Sequence, residues 1–487
     1  METGGTKVRR TAVLRRAGRS GPATLCWKRP IAADGKEGAQ LLCVRSGEGH
    51  FAPRGVSLRL VSGMLAFLVL LAGAALPAPA AAAGSLGLRA TYDVDATLVF
   101  ANGSLDVRST ASVTNNSGEP VDALVFNLLP VKIGGISLRE VLAGGEPASY
   151  STSGQTLTVT LAGPLQPEQS TDIVVDYSAR LRTNSKDKNW MFAKLNGVVT
   201  AYRWIPWLSR AVKFKRPNFG DPFVTGTSPE VRVSLTSDRS LVYATSGQRT
   251  GGSGLTQTFV AERVRDFNFS ASPKYKFAKT KINGIKVHAY YISLSSSALL
   301  SWSTRSLKRY GNKVGAYPYN RFVVAQTEGG TGMESPGMIW IPRSTTRSNL
   351  GYLIAHETAH QWFYGTVGSD QAAEPYADEA PADFLARDLL ANRRKSKCST
   401  ANLDGTLYDY GSACYYEVIY IQGGNYLHSY RQRVGGERFW KGLRNYYEEY
   451  QYRLGGTRQL LNALDAAAGE GLAGGHEKRF PRLFGVE

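Results

Sequence analysis

The sequence predicts an α+β multidomain protein, with an all-β sandwich or saddle-shaped domain ahead of a mostly α-helical one. Three observations carry this. From Leu86 to about Asn283 short segments alternate apolar and polar residues, separated by Gly, Asn, Pro or Ser. From about Gly284 the apolar spacing becomes helical, with small polar residues ahead of the runs. The length, 487 residues, is enough for two or three domains with buried cores. A content of 43% hydrophobic and 20% charged residues argues against general disorder.

Taken in order, residues 1–55 are a basic low-complexity extension rich in Arg, Gly and small polar residues. They are either a cytoplasmic tail or the product of a mis-called start, the true start then lying at Val56 or Met64. Residues 56–83 are a signal peptide or a membrane anchor. Arg54 and Arg59 precede the run "MLAFLVLLAGAAL" at 64–76, and "PAPAAAAGS" follows with small residues that suit cleavage near Ala82 or Ala83. The run is shorter than the about 20 apolar residues of a comfortable span, and an uncleaved anchor starting at Leu60 is the alternative to cleavage. Both readings predict an exported protein, extracellular or on the cell surface, with residues 60–83 as its membrane contact where they are retained.

Residues 84–283 form the β domain. "TYDVDATLVF", "SLDVRSTASVTN", "TLTVTLAG", "STDIVVDYSARL", "EVRVSLTS" and "QTFVAERV" all predict strands. "RTGGSGL" at 249–255 predicts a hairpin loop. In residues 284–487, "GIKVHAYYI" and "NRFVVAQTE" predict strands. "SSSALLSWSTRSLKRYGNKVG" predicts a capped helix. "SNLGYLIAHETAHQWFYG" predicts a helix capped by Ser348 or Asn349 and ending near Gly365. "ADEAPADFLARDLLANRR", "YEVIYIQGGNYLHSYRQRVGG", "ERFWKGLRNYYEEYQYR" and "TRQLLNALDAAAG" predict four more helices.

The formal charge is +19. Residues 1–59 hold 12 Lys+Arg and 4 Asp+Glu, which leaves +11 on the rest. Such a balance suits an anionic surface, but no nucleic-acid motif accompanies it, so a solvated basic surface and no nucleic-acid partner are expected. Cys398 and Cys414 are the two cysteines after the signal run, with 15 residues between them. In an oxidising compartment they can pair; two free thiols are the alternative.

His356-Glu357-Thr358-Ala359-His360 is an HExxH sequence. On a helix, residues four apart share a face, so both imidazoles can reach one metal. Glu357 beside them can take a proton from water on that metal. A catalytic zinc needs a third protein ligand and an open vertex. Eighteen residues separate His360 from Glu379, which lies in "YADEAPADF" on the next predicted helix. This spacing resembles the gluzincin zinc aminopeptidases, the family of aminopeptidase N and leukotriene hydrolase. Their third ligand lies in a W-L-x-E-G-x-A context; here Ala380 replaces Gly, and Pro381 follows. Because proline is tolerated in a first helical turn, the helix is expected to start close to Glu379.

"GGTGMESPGMIW" at 329–340 is similar to the family's G-x-M-E-N segment, with Ser335 in place of Asn. The resemblance implies an edge strand along the substrate groove. Gly332 and Met333 would pair with the substrate main chain, and Glu334 would bind the substrate's free α-amino group. "VIYIQGGNYLHSYRQRVGG" resembles the family's Y-x-K-G helix. Tyr420 matches the tyrosine that stabilises the tetrahedral oxyanion, and Gln422 stands where Lys is usual. Asp383, one turn after Glu379, is a candidate to accept the second N–H of a ligand histidine; a surface charge is the alternative. His50, His288, His428 and His476 have no partner spacing.

The resemblance thus implies a thermolysin-like catalytic domain over 284–487. One zinc ion would be held by His356, His360 and Glu379. Removal of N-terminal residues from peptides with a free amine is the expected reaction. Long family members carry a further helical domain, so this would be a short form with a more open cleft. The alternatives are an endopeptidase or epoxide hydrolase on the same scaffold, and a non-catalytic binding protein with a relict site.

Overall fold

The computed structural model describes residues 25–33, 36–44, 87–209, 224–469 and 473–485. The chain divides into two compact units, Met1–Ala75 and Leu76–Glu487. The signal or anchor segment, 56–83, lies outside the described residues. In the first unit Leu25–Ala33 pairs antiparallel with Lys36–Val44, Cys26 standing opposite Cys43. The basic composition of 1–55 gave no sign of this hairpin.

The β domain is built on an eight-stranded sheet. Its order is Gln248–Gly251, Thr256–Val264, Ser228–Ser237, Leu88–Val99, Ser104–Asn115, Ser170–Arg180, Ile136–Ala143, Glu146–Pro147. Pairing is antiparallel except between Ser228–Ser237 and Leu88–Val99. Leu88–Val99 shows why the alternation forms a strand with one wet face. Tyr92, Val94 and Leu98 are buried, while Thr91, Asp93 and Asp95 face water. Two four-stranded sheets contribute to the same core, one through Val199 and Phe269, the other through Phe126 and Val159. The result is sandwich-like. Among the described residues two short helices interrupt it, α1 (Leu129–Ile133), started by Pro130, and a 3-10 helix at Lys186–Met191.

The second domain opens with a five-stranded sheet in the order Lys276–Ile282, Ile285–Tyr291, Arg321–Thr327, Met338–Pro342, Met333–Ser335. Ile285–Tyr291, Arg321–Thr327 and Met338–Pro342 run parallel. The connection between the first two of these is α2 (Ser296–Lys313), as a parallel crossover requires. Ser295 caps it, its Oγ accepting from the Ala298 N–H. Leu299 and Leu307 of α2 pack against Val287 and Ala289 of the sheet in one buried cluster.

The remaining helices are α3 (Arg347–Ala359), α4 (Tyr376–Leu390), α5 (Ser412–Tyr415), α6 (Gly423–Val434), α7 (Gly436–Tyr450), α8 (Thr457–Ala468) and two single turns, α9 (Ala473–His476) and α10 (Pro481–Phe484). Three of them differ from the sequence expectation. The N-cap of α3 is Thr346, not Ser348 or Asn349, and α3 ends at Ala359 rather than near Gly365. Beyond it the chain is satisfied by turn bonds such as Gly365 N–H to His360 O. α4 begins at Tyr376, so Pro381 lies inside it instead of in its first turn. There it removes the bond to the Ala377 carbonyl. The segment around Tyr420 is not one α-helix: Tyr416–Gln422 is a π-helical turn leading into α6. Such turns recur at functional sites.

Candidate active site

α3 delivers two imidazoles to one point. His356 is in its last turn and His360 is the residue that closes it, both buried. His360 Nδ1 lies 3.0 Å from the Phe363 carbonyl oxygen, to which it donates, so Nε2 presents its lone pair to the site. The His356 ring is held by stacking instead. Tyr352 lies 5.7 Å away on one side and Tyr420 5.3 Å away on the other, both nearly parallel. His356 Nδ1 has no hydrogen-bond partner among the described residues. Asp383, expected beside it, accepts instead from the Tyr352 hydroxyl at 2.7 Å and from Arg387 Nε at 2.9 Å. Its charge still acts through space on His356, raising the imidazole against the effect of burial.

α4 brings Glu379 to the same point. Its Oε2 is 3.2 Å from His356 Nε2 and 3.3 Å from His360 Nε2, and the two Nε2 atoms are 3.3 Å apart. A tetrahedral zinc with arms of about 2.0–2.1 Å separates neighbouring ligand atoms by about 3.3–3.4 Å. The three donors thus sit like three vertices of that tetrahedron. Glu379 Oε2 is buried and has no hydrogen-bond donor among the described residues, which leaves a lone pair aimed at the centre. The donor set of two imidazoles and one carboxylate is one zinc accepts. The residues fit the ion.

The electrostatics agree with this placement. Burial opposes a charge on Glu379, but the His360 and His356 imidazoles override it and hold the carboxyl well below the usual range. Burial lowers His356. At His360 burial also acts downward, yet the Glu379 carboxylate, with Glu334 and Glu357 beyond it, lifts the imidazole well above its ordinary value.

Glu357 is buried one residue along α3 from His356. Ligand atoms of Glu357, Glu334 and His360 all lie within 4.8 Å of one another. Glu334 belongs to Met333–Ser335, the short edge strand of the five-stranded sheet, antiparallel to Met338–Pro342. Gly332 is where this strand meets the helix. A Cβ there would lie 2.3 Å from Glu357 Oε1, so only glycine permits the approach. Met333 is buried next to it.

Several residues that hold this strand carried no sequence signal. Gln361 donates to the Ser335 carbonyl at 2.9 Å and accepts from the Gly337 N–H at 2.8 Å, fastening the edge hairpin to α3. Ser335, where Asn was expected, is tied to the β domain. Its Oγ accepts from Asn268 Nδ2 and lies 2.8 Å from Ser246 Oγ. Asn268 in turn donates to Asp266, which faces the buried Arg203 at 3.8 Å. Only tertiary contact brings these residues together.

Tyr420, on the π-helical turn, donates its hydroxyl proton to Glu379 Oε1 at 2.5 Å. Gln422 braces that turn, donating to the Cys398 carbonyl at 2.8 Å and accepting from Arg479 at 2.9 Å. A lysine could not accept from Arg479, so the change from Lys suits this brace. Cys398 and Cys414 form a disulfide that closes the loop packed there.

The fold and part of the sequence are similar to known proteins. The fold is similar to an M1 zinc metallopeptidase from Deinococcus radiodurans, with a TM-score of 0.62 at 19% identity over 79% of this chain and 92% of that one. A two-domain M1 zinc metallopeptidase bound to L-tryptophan gives 0.61 at 20% identity, over 80% and 95%. Another crystal structure of the Deinococcus radiodurans protein, similar at 0.60, is described as bound to a Tyr-Ser-Ala substrate. In sequence the chain is 27% identical to aminopeptidase N of Lactococcus lactis subsp. lactis over 157 residues, 26% of this chain and 18% of that protein. It is 24% identical to aminopeptidase M1-D of Oryza sativa subsp. japonica over 148 residues, 26% and 17%. The chain spans less than a fifth of the length of these curated relatives. No protein-family profile matches it.

The fold is similar to that of M1 zinc metallopeptidases, and HExxH on one helix with a carboxylate from the next resembles the gluzincin arrangement. The sequence relatives named above are aminopeptidases, and the architecture is similar to that of a two-domain M1 zinc metallopeptidase.

Proposed function

We propose that the protein is an exported zinc aminopeptidase that removes N-terminal residues from peptides. The observation that carries the reading is the position of Glu334. Its carboxylate shares a pocket of less than 4.8 Å with Glu357 and His360, so a group bound to it is placed at the chemistry. A buried carboxylate pairs with an ammonium and discriminates against substrates that lack one.

His356, His360 and Glu379 would hold the ion. When bound, zinc polarises the scissile carbonyl and brings the pKa of its water towards about 7. Glu357 takes the proton of the attacking water on its carboxylate and passes it to the leaving amine. Gly332 and Met333 offer main-chain groups to the peptide along the edge strand. Tyr420 is the neutral donor for the oxyanion. Its hydroxyl rests on Glu379 Oε1, so serving the oxyanion requires it to exchange that acceptor. The stacked rings of Tyr352, His356 and Tyr420 keep the phenol beside the donor triangle.

Export is supported by the apolar run at 64–76 and by the Cys398–Cys414 disulfide, which persists in oxidising compartments. Residues 60–83 would be removed or kept as an anchor. Among the described residues no helix is long and apolar enough to cross a membrane.

The test is the variant Glu357→Gln, assayed on aminoacyl fluorogenic substrates with zinc content measured in parallel. Turnover should fall by at least about a hundredfold while bound zinc is retained. Undiminished activity would sink the mechanism. An N-acetylated peptide should remain uncut by the unaltered enzyme; its cleavage would favour an endopeptidase instead.

A further inference from the structure

From Phe267 to Thr327 the chain has ten Lys or Arg and no Asp or Glu. Part of this charge is gathered on one sheet face. Lys279 stands opposite His288 and Lys281 opposite Lys286 across an antiparallel pair, and Lys286 stands beside Arg321 on the next strand. Like charges directly opposite each other destabilise a sheet. The opposite face is covered by α2 through Val287 and Ala289, so the basic residues lie on the other face, where Lys279, Lys281 and Lys286 are exposed and His288 is half-buried.

That face forms one wall of a cleft of about 420 Å³ between the two domains, away from the donor triangle. Lys286, His288 and Arg321 line it from one side, and Arg249, Tyr243 and Phe259 from the other. No Asp or Glu lines it. His288 records the uncompensated field: burial, then Arg321, Lys279 and Lys286, push its imidazole down to about 4. A face that merely solvates lysines needs neither a concave shape nor aromatic walls.

We propose that this cleft binds a phosphate group, carried either by a lipid headgroup or by a soluble molecule. Lys286, Arg249 and the His288 ring line one concavity, and Arg321, whose Nη2 donates to the Thr245 and Gly247 carbonyls, adds its charge; ammonium and guanidinium groups suit the several acceptor oxygens of a phosphate. Tyr243 and Phe259 offer an apolar wall to the part of the ligand that bears it. A bound dianion also relieves the repulsion between Lys281 and Lys286. The site is independent of the peptidase reading.

The test uses the secreted-length protein, with inorganic pyrophosphate followed by calorimetry and phosphatidylcholine vesicles doped with phosphatidylglycerol followed by co-sedimentation. Lys286→Glu is compared with Lys308→Glu, which changes the net charge equally but lies on exposed α2. Saturable binding should weaken roughly tenfold or more in Lys286→Glu and hold in Lys308→Glu. Lys286→Gln, a milder change checked by circular dichroism, should weaken it in the same direction. Binding to vesicles alone assigns the headgroup, and binding to pyrophosphate alone assigns a soluble ligand. Equal loss in the two charge reversals, or no binding of either probe, overturns the proposal.

Discussion

The tightest constraint in the site is a hydrogen atom. Gly332 carries one where any other residue carries Cβ, and that Cβ would meet Glu357 Oε1 at 2.3 Å and Leu353 Cδ1 at 2.8 Å. The edge strand is fastened by Gln361, so the side-chain tips of Glu357 and Leu353 on α3 are what must give way. Gly332→Ala should therefore displace the general base by a fraction of an ångström to an ångström. A shift of that size costs roughly a hundredfold in kcat. The fold should survive, since the change is at a sheet edge, so the outcome is a folded protein with normal zinc content and depressed kcat. Glu334→Gln acts on a different quantity. It removes the charge that pairs with the substrate ammonium, a hydrogen bond to a charged group of about 1.5–3 kcal/mol, so kcat/KM should drop about tenfold to a hundredfold. If kcat/KM is unchanged, Glu334 does not hold the amine. Both residues were visible in sequence because their segment has a recognisable order. Gln361 and Asn268 were not, since nothing local distinguishes a clamping amide from a solvated one.

At the scale of elements, the helices that carry ligands were legible and their ends were not. HExxH needs helical spacing and so announces α3, but its cap is decided by backbone geometry at Thr346. The start of α4 was misplaced by a turn because a proline usually marks a first turn, whereas here Pro381 is accommodated inside the helix. The π-helical turn at Tyr416–Gln422 leaves no periodic trace either, because one widened turn shifts later residues without changing their apolar pattern. The strand Ile285–Tyr291 allows a prediction of its own. His288 titrates near 6.5 in the unfolded chain and near 4 in the folded one. Between these values the unfolded state binds more protons, so stability falls as pH drops from about 6.5 to about 4. His288→Gln should flatten that part of the stability–pH curve, measured by urea unfolding in phosphate-free buffer. An unaltered slope would mean that His288 is not a source of the acid sensitivity.

For the whole molecule, the division into a β domain and a helical domain was legible from periodicity alone, but what joins them was not. One joint is Arg265, a β-domain residue that is fully buried. Its guanidinium donates to the carbonyls of Thr225, Gly365, Thr366 and Arg453 and to the Thr227 hydroxyl. Three of those carbonyls belong to the catalytic domain, where Gly368 leaves room for the side chain. No carboxylate is among these acceptors, and burial pushes the arginine down to about 10, which still leaves it charged at neutral pH. Such a residue acts as a staple rather than half of an ion pair. Arg265→Met keeps much of the volume and removes every donor at once, leaving several buried carbonyls unpaired at about 1–3 kcal/mol each. The variant should lose at least about 3 kcal/mol in urea unfolding. Because Asn268 of the same β-domain segment holds Ser335 beside Glu334, loosening the joint should also raise KM for peptides. A variant with unchanged stability and unchanged KM would show that the two domains are held together elsewhere.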